Sequence, residues 1–362
     1  MDMHDHAYLT VENQKQHCFM QHRIHKILLV CCPYDGYILE EDGHIESQIN
    51  REYMELNMSN PPSLTRVEST AEALELLSRR CNDFDFVLTM YNVGEPNVFD
   101  FARRVKELRA DLPVVLLTSF SKEIYRQIEE ENCAALDNIF CWHGNTDLII
   151  AIIKLMEDRL NAESDILEGG VQAIMLVEDS VRFYSTYLPE LYKILLVQNS
   201  EFLKDAYNEQ QQINRKRSRP KVLLATNYTD AVDMYARYKK NLLGVISDVG
   251  LIVKSGDRSE DEKSDAGIDI CKMIKAETPW MPIIMQSSQV NYRSVAESLG
   301  VGFIAKTSKT LLSELQDVIL REFGFGEFVF RDLHTGAVVG RARDLMQMQE
   351  LIATVPDDVL EF

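Results

Sequence analysis

Four short apolar runs, each closed by a polar residue of a different kind, limit what this chain can fold into. Ala173-Ile174-Met175-Leu176-Val177 ends in Glu178-Asp179-Ser180, and Leu242-Leu243-Gly244-Val245-Ile246-Ser247 ends in Asp248. Pro282-Ile283-Ile284-Met285-Gln286 ends in Ser287-Ser288, and Val301-Gly302-Phe303-Ile304-Ala305 ends in Lys306. Continuous apolar runs of this length are the pattern of strands buried on both faces of a parallel sheet. Open α/β sheets place their ligands at the carboxyl ends of such strands. Acid pair, single acid, hydroxyl and lysine therefore close successive strands where chemistry is expected.

The same alternation occupies the first half of the chain. Strands are expected at Lys26–Cys32, Leu64–Glu68, Phe84–Met90, Leu112–Thr118 and Leu136–Cys141. Helices are expected at Ile45–Met58, Thr70–Arg80 with Thr70 as cap, Val98–Arg109, Ser121–Glu131 with Ser121 as cap, and Asp147–Asn161. Five strands alternating with five helices argue a doubly wound parallel sheet. From about Val171 the layout repeats, so the chain holds an internal duplication of fold. The expected division is a lead-in over 1–24, a first α/β domain over 25–165, a second over 166–325, and an extension over 326–362.

Composition removes several classes. With 362 residues, 46% of them hydrophobic, the chain can build two or three cores. A net charge of -19 argues against nucleic acid and anionic membranes as partners. Seven cysteines without a CxxC pair fit reduced thiols in a cytoplasmic protein. The start, Met1 to His6, has no apolar core of a signal peptide, and the apolar run Leu148 to Met156 is too short to span a bilayer. His4, His6, His17 and His22 in the lead-in have no partner at a metal-ligand spacing, so a solvated tail is the expectation.

The second copy is enlarged twice. Its first helix is expected to run past Pro189, which starts or kinks it, toward Gln211, ending in the solvated basic cluster Arg215 to Arg219. The acidic stretch Leu251 to Asp265 reads as a mobile surface loop. Beyond Phe323, Glu327–Phe330 and Ala337–Val339 flank a turn and predict a hairpin, and Asp344 to Thr354 predicts a helix.

The order of strand-end residues in the second copy resembles the receiver domain of two-component response regulators. The resemblance implies an α/β chain of two flavodoxin-like, doubly wound, five-stranded parallel sheets with a small hairpin-helix extension. It implies a phosphorelay role in which Asp248 accepts a phosphoryl group. Glu178, Asp179, Asp248 and the carbonyl of Gly250 would hold Mg²⁺, for which hard oxygen ligands are suited. Lys306 would present a point charge to a phosphoryl oxygen. Ser287 and Phe303 would report the modification by moving. The implied partner is a histidine kinase or phosphotransfer protein. Two departures stand out: Thr307 follows Lys306 where most receivers carry a cis proline, and the proline usual after the nucleophile is missing. A non-proline bond favours trans by about 2.5–4 kcal/mol, so an altered placement of Lys306 is expected.

The first copy lacks the acid set. Cys31-Cys32 stand where the acid pair belongs, Met90 stands for the nucleophile and Trp142 is near the lysine position, while Thr118 is kept and Asp35 is displaced. Buried small hydrophobes are the expected role of the two thiols. This copy resembles a degenerate receiver used for packing and recognition. The stretches Val177–Pro189 and Gly324–Arg331 further resemble the N-terminal regulatory part of bacterial phosphoenolpyruvate synthase and pyruvate phosphate dikinase-like proteins. That likeness implies a catalytic region in cis or trans; the chain itself carries no Walker loop and no phosphohistidine-carrier signature, so no separate enzyme activity is expected of it. Two alternatives remain open. An aspartyl-phosphate hydrolase would want a second Asp where Gly250 stands. A purely structural module would carry the acid cluster as a vestige.

Overall fold

The computed structural model describes residues 19–39, 44–56, 58, 60–119, 131, 133–142, 144, 146–202, 219–254, 263–323, 328–332, 338–342 and 360–361. In the first half, β1 (Lys26–Val30), β2 (Ser63–Val67), β3 (Phe86–Met90), β4 (Val114–Ser119) and β5 (Asn138–Trp142) are joined in parallel in the order β2-β1-β3-β4-β5. Between them lie α1 (Pro33–Leu39), α2 (Ile45–Glu55), α3 (Thr70–Arg80) and α4 (Val98–Leu108), and α5 (Asp147–Ala162) follows β5. This is the flavodoxin-like strand order. The short helix α1 was not anticipated, and the helix expected over Ser121–Glu131 lies outside the described residues. Ser69, not Thr70, caps α3: its hydroxyl accepts from the Glu72 amide at 3.2 Å, while the Thr70 hydroxyl donates to the Pro96 carbonyl at 2.6 Å.

The second sheet comprises β6 (Ala173–Val177), β7 (Lys221–Ala225), β8 (Leu242–Asp248), β9 (Ile283–Ser287) and β10 (Gly302–Ala305). Its order, β10-β9-β8-β6-β7, is the same topology written from the other edge, and every pairing is parallel. Helices α6 (Val181–Phe202), α7 (Tyr228–Tyr238), α8 (Ala266–Glu277), α9 (Arg293–Ser298) and α10 (Leu311–Arg321) cover it. Alternation along the strands sorts the side chains: Ile174, Leu176, Ile246, Ile284 and Ile304 join the core under α6 and α10, and Met175, Val177, Val245 and Met285 join the core under α7, α8 and α9. Pro189 lies inside α6 and neither starts nor ends it. An antiparallel hairpin of β11 (Phe328–Asp332) and β12 (Val338–Ala342) is present as expected, joined by β13 (Leu360–Glu361). The helix expected over Asp344–Thr354 lies outside the described residues.

The two sheets share one apolar core, which runs from the first sheet through α5 and α6 to the second. Thirteen of the sixteen residues of α5 are buried, as befits a helix apolar on all sides. Its buried charged residues are paired inside the protein. Lys154 meets Glu157 at 2.8 Å, and Asp158 meets Arg219. Burial alone would favour a neutral Lys154, but Glu157 and Tyr53 reverse the balance and its affinity for the proton is raised.

Three expectations are corrected here. Arg219 does not belong to a solvated cluster: it is 2% exposed and paired, because β7 begins beside α5; Arg215 to Ser218 lie outside the described residues. The end of the lead-in is pinned, not loose. The Met20 amide donates to Asp165, the His22 amide to Asn161 and the Ile24 amide to Glu157. Leu251 is fully buried and bridges Lys263, so this end of the acidic stretch is anchored; residues 255–262 lie outside the described residues.

Candidate functional site

The carboxyl ends of β6, β8, β9 and β10 converge. Asp248 pairs in register with Gln286, and Ser287 with Ala305, so the four strand-end signals share one rim. Glu178 and Asp248 follow Leu176 and Ile246 by two residues and so share their face of the sheet. One carboxylate oxygen from each of Glu178, Asp179 and Asp248 lies within 4.8 Å of the other two. Among the described residues this is the only such gathering of potential metal ligands.

Lys306 is the counter-ion. Its Nζ donates to Asp248 Oδ2 at 2.5 Å and lies 2.6 Å from Glu178 Oε2. The altered lysine loop does not keep Lys306 from the acids. Its peptide to Thr307 is trans, since the cis bond among the described residues is Glu95–Pro96. The Lys306 amide is held by the Ser287 carbonyl at 2.9 Å, and the ammonium sits 4.2 Å from the centroid of the Phe183 ring on α6. A cation over an aromatic face is attracted by the ring quadrupole.

The remaining contacts fix the loops around the acids. Asp248 Oδ1 accepts from the Val249 amide at 2.7 Å, Asp179 Oδ2 from the Ile252 amide at 2.8 Å, and Glu178 Oε1 from the Ser180 amide at 3.2 Å. Gly250 lies buried in the same loop. Gly267, in the first turn of α8, comes so close that an added Cβ would sit 1.8 Å from the Asp248 carbonyl oxygen. Ser287 Oγ accepts from the Gln289 amide at 3.1 Å, the capping role that any serine at a strand-to-helix turn can take. Phe303 is half-buried, with the Arg293 guanidinium 5.1 Å from its ring centroid.

Burial governs the electrostatics. Glu178 is pushed up to about 8 by burial and then by repulsion from Asp248, with Lys306 pulling the other way. Asp248 is raised by burial against the opposing pull of Lys306. Burial works to lower Lys306, but the two carboxylates outweigh it and the ammonium is held more firmly. Three acids share one ammonium, so ionising all of them leaves surplus negative charge beside a buried carboxyl, which is why Glu178 holds its proton in the absence of a cation. Hard oxygen donors with surplus charge fit a small divalent cation.

Three residues here escape the strand-end pattern. Phe183 and Tyr187 project from α6, one helical turn apart, with rings 6.0 Å between centroids. The Tyr187 hydroxyl is buried without a hydrogen-bond partner and feels the charges of Glu178 and Asp248. Gln286 is fully buried, and neither end of its amide has a partner. A glutamine inside an otherwise apolar strand was the available signal for it; an aromatic pair at i, i+4 after the acid pair was the signal for the other two.

Among the described residues, the first sheet carries no equivalent set. Cys31 is fully buried and pushed up to about 11, by burial first. Cys32 Sγ contacts Asp35 at 3.2 Å. Met90 and Thr118 are buried, and Trp142 closes β5. A thiol held in its neutral form by burial is a poor nucleophile.

No family model matches the chain, and no curated protein does. Solved structures do match. One is a response regulator receiver domain protein from Clostridium thermocellum, 16% identical, covering 38% of this chain and 98% of its own, with a TM-score of 0.28. A probable two-component system response regulator/GGDEF domain protein is 14% identical and covers 83% of this chain and 98% of its own, with a TM-score of 0.34. A response regulator from Burkholderia pseudomallei, bearing a phosphorylated aspartic acid, a calcium ion and citrate, is 14% identical, covers 53% and 98%, and has a TM-score of 0.26. These superpositions are loose, and the receiver-type fold stands on the strand order of the two sheets themselves. The matches lend no support to the likeness to phosphoenolpyruvate synthase or pyruvate phosphate dikinase-like proteins. No helix among the described residues is long and apolar enough to cross a membrane.

Proposed function

We propose that the chain is a phosphorelay regulator whose second receiver-type domain, residues 166–325, accepts a phosphoryl group on Asp248. The observation that carries this reading is the convergence of Glu178, Asp179 and Asp248 at adjacent strand ends, with the Lys306 ammonium reaching both Glu178 and Asp248. Asp248 is the nucleophile. One of its oxygens attacks phosphorus, the bond from phosphorus to the donor breaks, and the donor leaves with the electron pair. Glu178, Asp179, Asp248 and the Gly250 carbonyl would hold Mg²⁺, which when bound neutralises phosphoryl oxygens. Lys306 presents its ammonium to the transferred group, and Ser287 and Phe303 respond to it.

The first domain, residues 25–165, has neither acid pair nor nucleophile and serves packing and recognition. The donor is a histidine kinase or phosphotransfer protein. Output is by protein contact, through α10 and the β11–β12 hairpin, and not through nucleic acid.

The test is labelling by a small phosphodonor with Mg²⁺ present. Wild type should take up label and Asp248→Asn should not. Equal labelling of the two rejects Asp248 as acceptor. Labelling of neither, with no Mg²⁺-dependent binding of beryllofluoride by wild type, favours a vestigial acid cluster.

A further inference from the structure

Helix α6 touches the acid site with one side and the first sheet with the next. Phe183 lies under the Lys306 ammonium, and Tyr187 stacks beside Phe183 with its hydroxyl in the field of Glu178 and Asp248. One and two residues beyond Phe183, about 100° and 200° further around the helix, Tyr184 and Ser185 both hydrogen-bond to β5. Strand β5 is the outer strand of the first sheet, and such an edge presents backbone groups with no strand to pair them. The Tyr184 hydroxyl donates to the Ile139 carbonyl, and the Cys141 amide donates to Ser185 Oγ at 2.9 Å. The Tyr184 ring meets Phe140 edge-on, with 5.4 Å between centroids. Side chains of the second domain thus take up two backbone groups on the first domain's edge strand.

We propose that α6 couples the two domains: the occupancy of the Asp248 site is read by β5 through Phe183, with Phe183 acting as a positioning residue for Lys306. This inference rests on the phosphoacceptor reading above. In the unmodified protein Lys306 spans Glu178 and Asp248 and is seated on Phe183. An anionic group on Asp248 gives the ammonium a new partner and shifts it on the ring. Phe183 and Tyr184 are neighbours on one rigid helix, so a displacement of the first is passed to the second. The hydrogen bonds to Ile139 and Cys141 are directional, so a small rotation of α6 loosens or tightens them. The first domain, without chemistry of its own, then has a defined role as the sensor of the second.

The experiment uses the full chain and beryllofluoride with Mg²⁺ as the phosphoryl mimic. Fluorine NMR reports occupancy. Hydrogen exchange of the peptide containing Ile139–Trp142 reports the edge, and Trp142 emission in a Trp280→Phe background gives a second signal. On occupancy, exchange at this peptide should change roughly threefold to tenfold, the effect of altering one hydrogen bond. In Tyr184→Phe/Ser185→Ala, occupancy should persist while the change at β5, measured against the same variant without mimic, is lost. Occupancy in wild type with unchanged exchange at β5 overturns the coupling, as does a double variant that responds like wild type. Failure of wild type to bind the mimic at all rejects the phosphoacceptor reading itself, and the coupling with it.

Discussion

Arg219 grips Asp158 through Nη2 and Nη1, at 2.7 and 3.0 Å, with neither side chain more than 2% exposed. Asp158 belongs to α5, which follows the first sheet, and Arg219 leads into β7 of the second. The same carboxylate also accepts from the Tyr192 hydroxyl at 2.8 Å and the Val222 amide at 2.9 Å. Lys221 lies 2.7 Å from Asp165 and 3.9 Å from Asp158, and Asp165 in turn receives the Met20 amide. The join between the halves is therefore a buried polar network inside an apolar core, not a flexible linker.

Removing Asp158 should be severe. Asp158→Ala leaves a buried guanidinium, a tyrosine hydroxyl and a backbone amide without their acceptor, and should cost roughly 3–5 kcal/mol. A simple buried ion pair is often replaceable by apolar side chains at little cost. That should fail here, because Asp158→Leu with Arg219→Met still orphans Tyr192 and Val222. Urea unfolding of both variants checks this, and a double variant as stable as wild type would show that the network contributes little.

Gly267 should tolerate no side chain. A Cβ there meets backbone, the Asp248 carbonyl oxygen at 1.8 Å and its carbon at 2.8 Å, so Asp248 or the start of α8 must move. Gly267→Ala should therefore abolish or sharply weaken Mg²⁺-dependent beryllofluoride binding. Gly300→Ala is the contrast: its φ of +66° is unfavourable for alanine, but the space is open. It should lower stability by about 1 kcal/mol and leave binding intact. Calorimetric titration with the mimic distinguishes the two, and unchanged binding by Gly267→Ala would show that Asp248 need not stay where it is.

Most of the architecture was legible because both sheets are buried and parallel. Runs such as Ile174 to Val177 and Val114 to Leu117 are continuously apolar and too short for a helix, and the acids that follow the first of them are conspicuous against apolar neighbours. What the sequence hid are contacts between distant segments. Arg219 sits at the end of a basic run that looks solvated, and only its placement against α5 identifies it as a buried partner. Thr307 pointed to a misplaced lysine, yet Lys306 still reaches both acids, seated on a ring 123 positions earlier in the chain. The cap of α3 slipped by one residue because Ser69 and Thr70 are chemically interchangeable in a linear reading, and the Pro96 carbonyl claims Thr70.

Lys306→Ala should separate the metal from the lysine. Without the ammonium, Glu178 and Asp248 face each other in a buried place with no counter-ion, and the metal-free protein should lose stability. Mg²⁺ can then supply the missing charge, and its stabilising effect follows mass action. The rise in melting temperature on adding saturating Mg²⁺ should be larger in Lys306→Ala than in wild type, whereas binding of the phosphoryl mimic should be weaker. An equal Mg²⁺ response in the two proteins would mean that the lysine does not neutralise the acids in the metal-free state.

The raised carboxyl of Glu178 sets a pH dependence whose sign is opposite to that of an ordinary ion-paired acid. Its ordinary value is 4.5, and burial followed by repulsion from Asp248 lifts it to about 8 in the folded chain. Between these values the folded state binds more protons than the unfolded state, so stability falls as pH rises. The contribution is fully present below about 4.5 and lost above about 8. Asp248, also raised, acts in the same direction, and Lys306, raised above 10.5, changes nothing in this window. In Mg²⁺-free buffer the urea midpoint should therefore decline from pH 5 to pH 8, as stability falls by about 1.4 kcal/mol per pH unit for each proton that only the folded state holds. Glu178→Gln, which has no proton to lose, should flatten the decline. Saturating Mg²⁺ should oppose it in wild type, because the ion binds the deprotonated carboxylate and releases a proton. Identical slopes for wild type and Glu178→Gln would assign the dependence to another group.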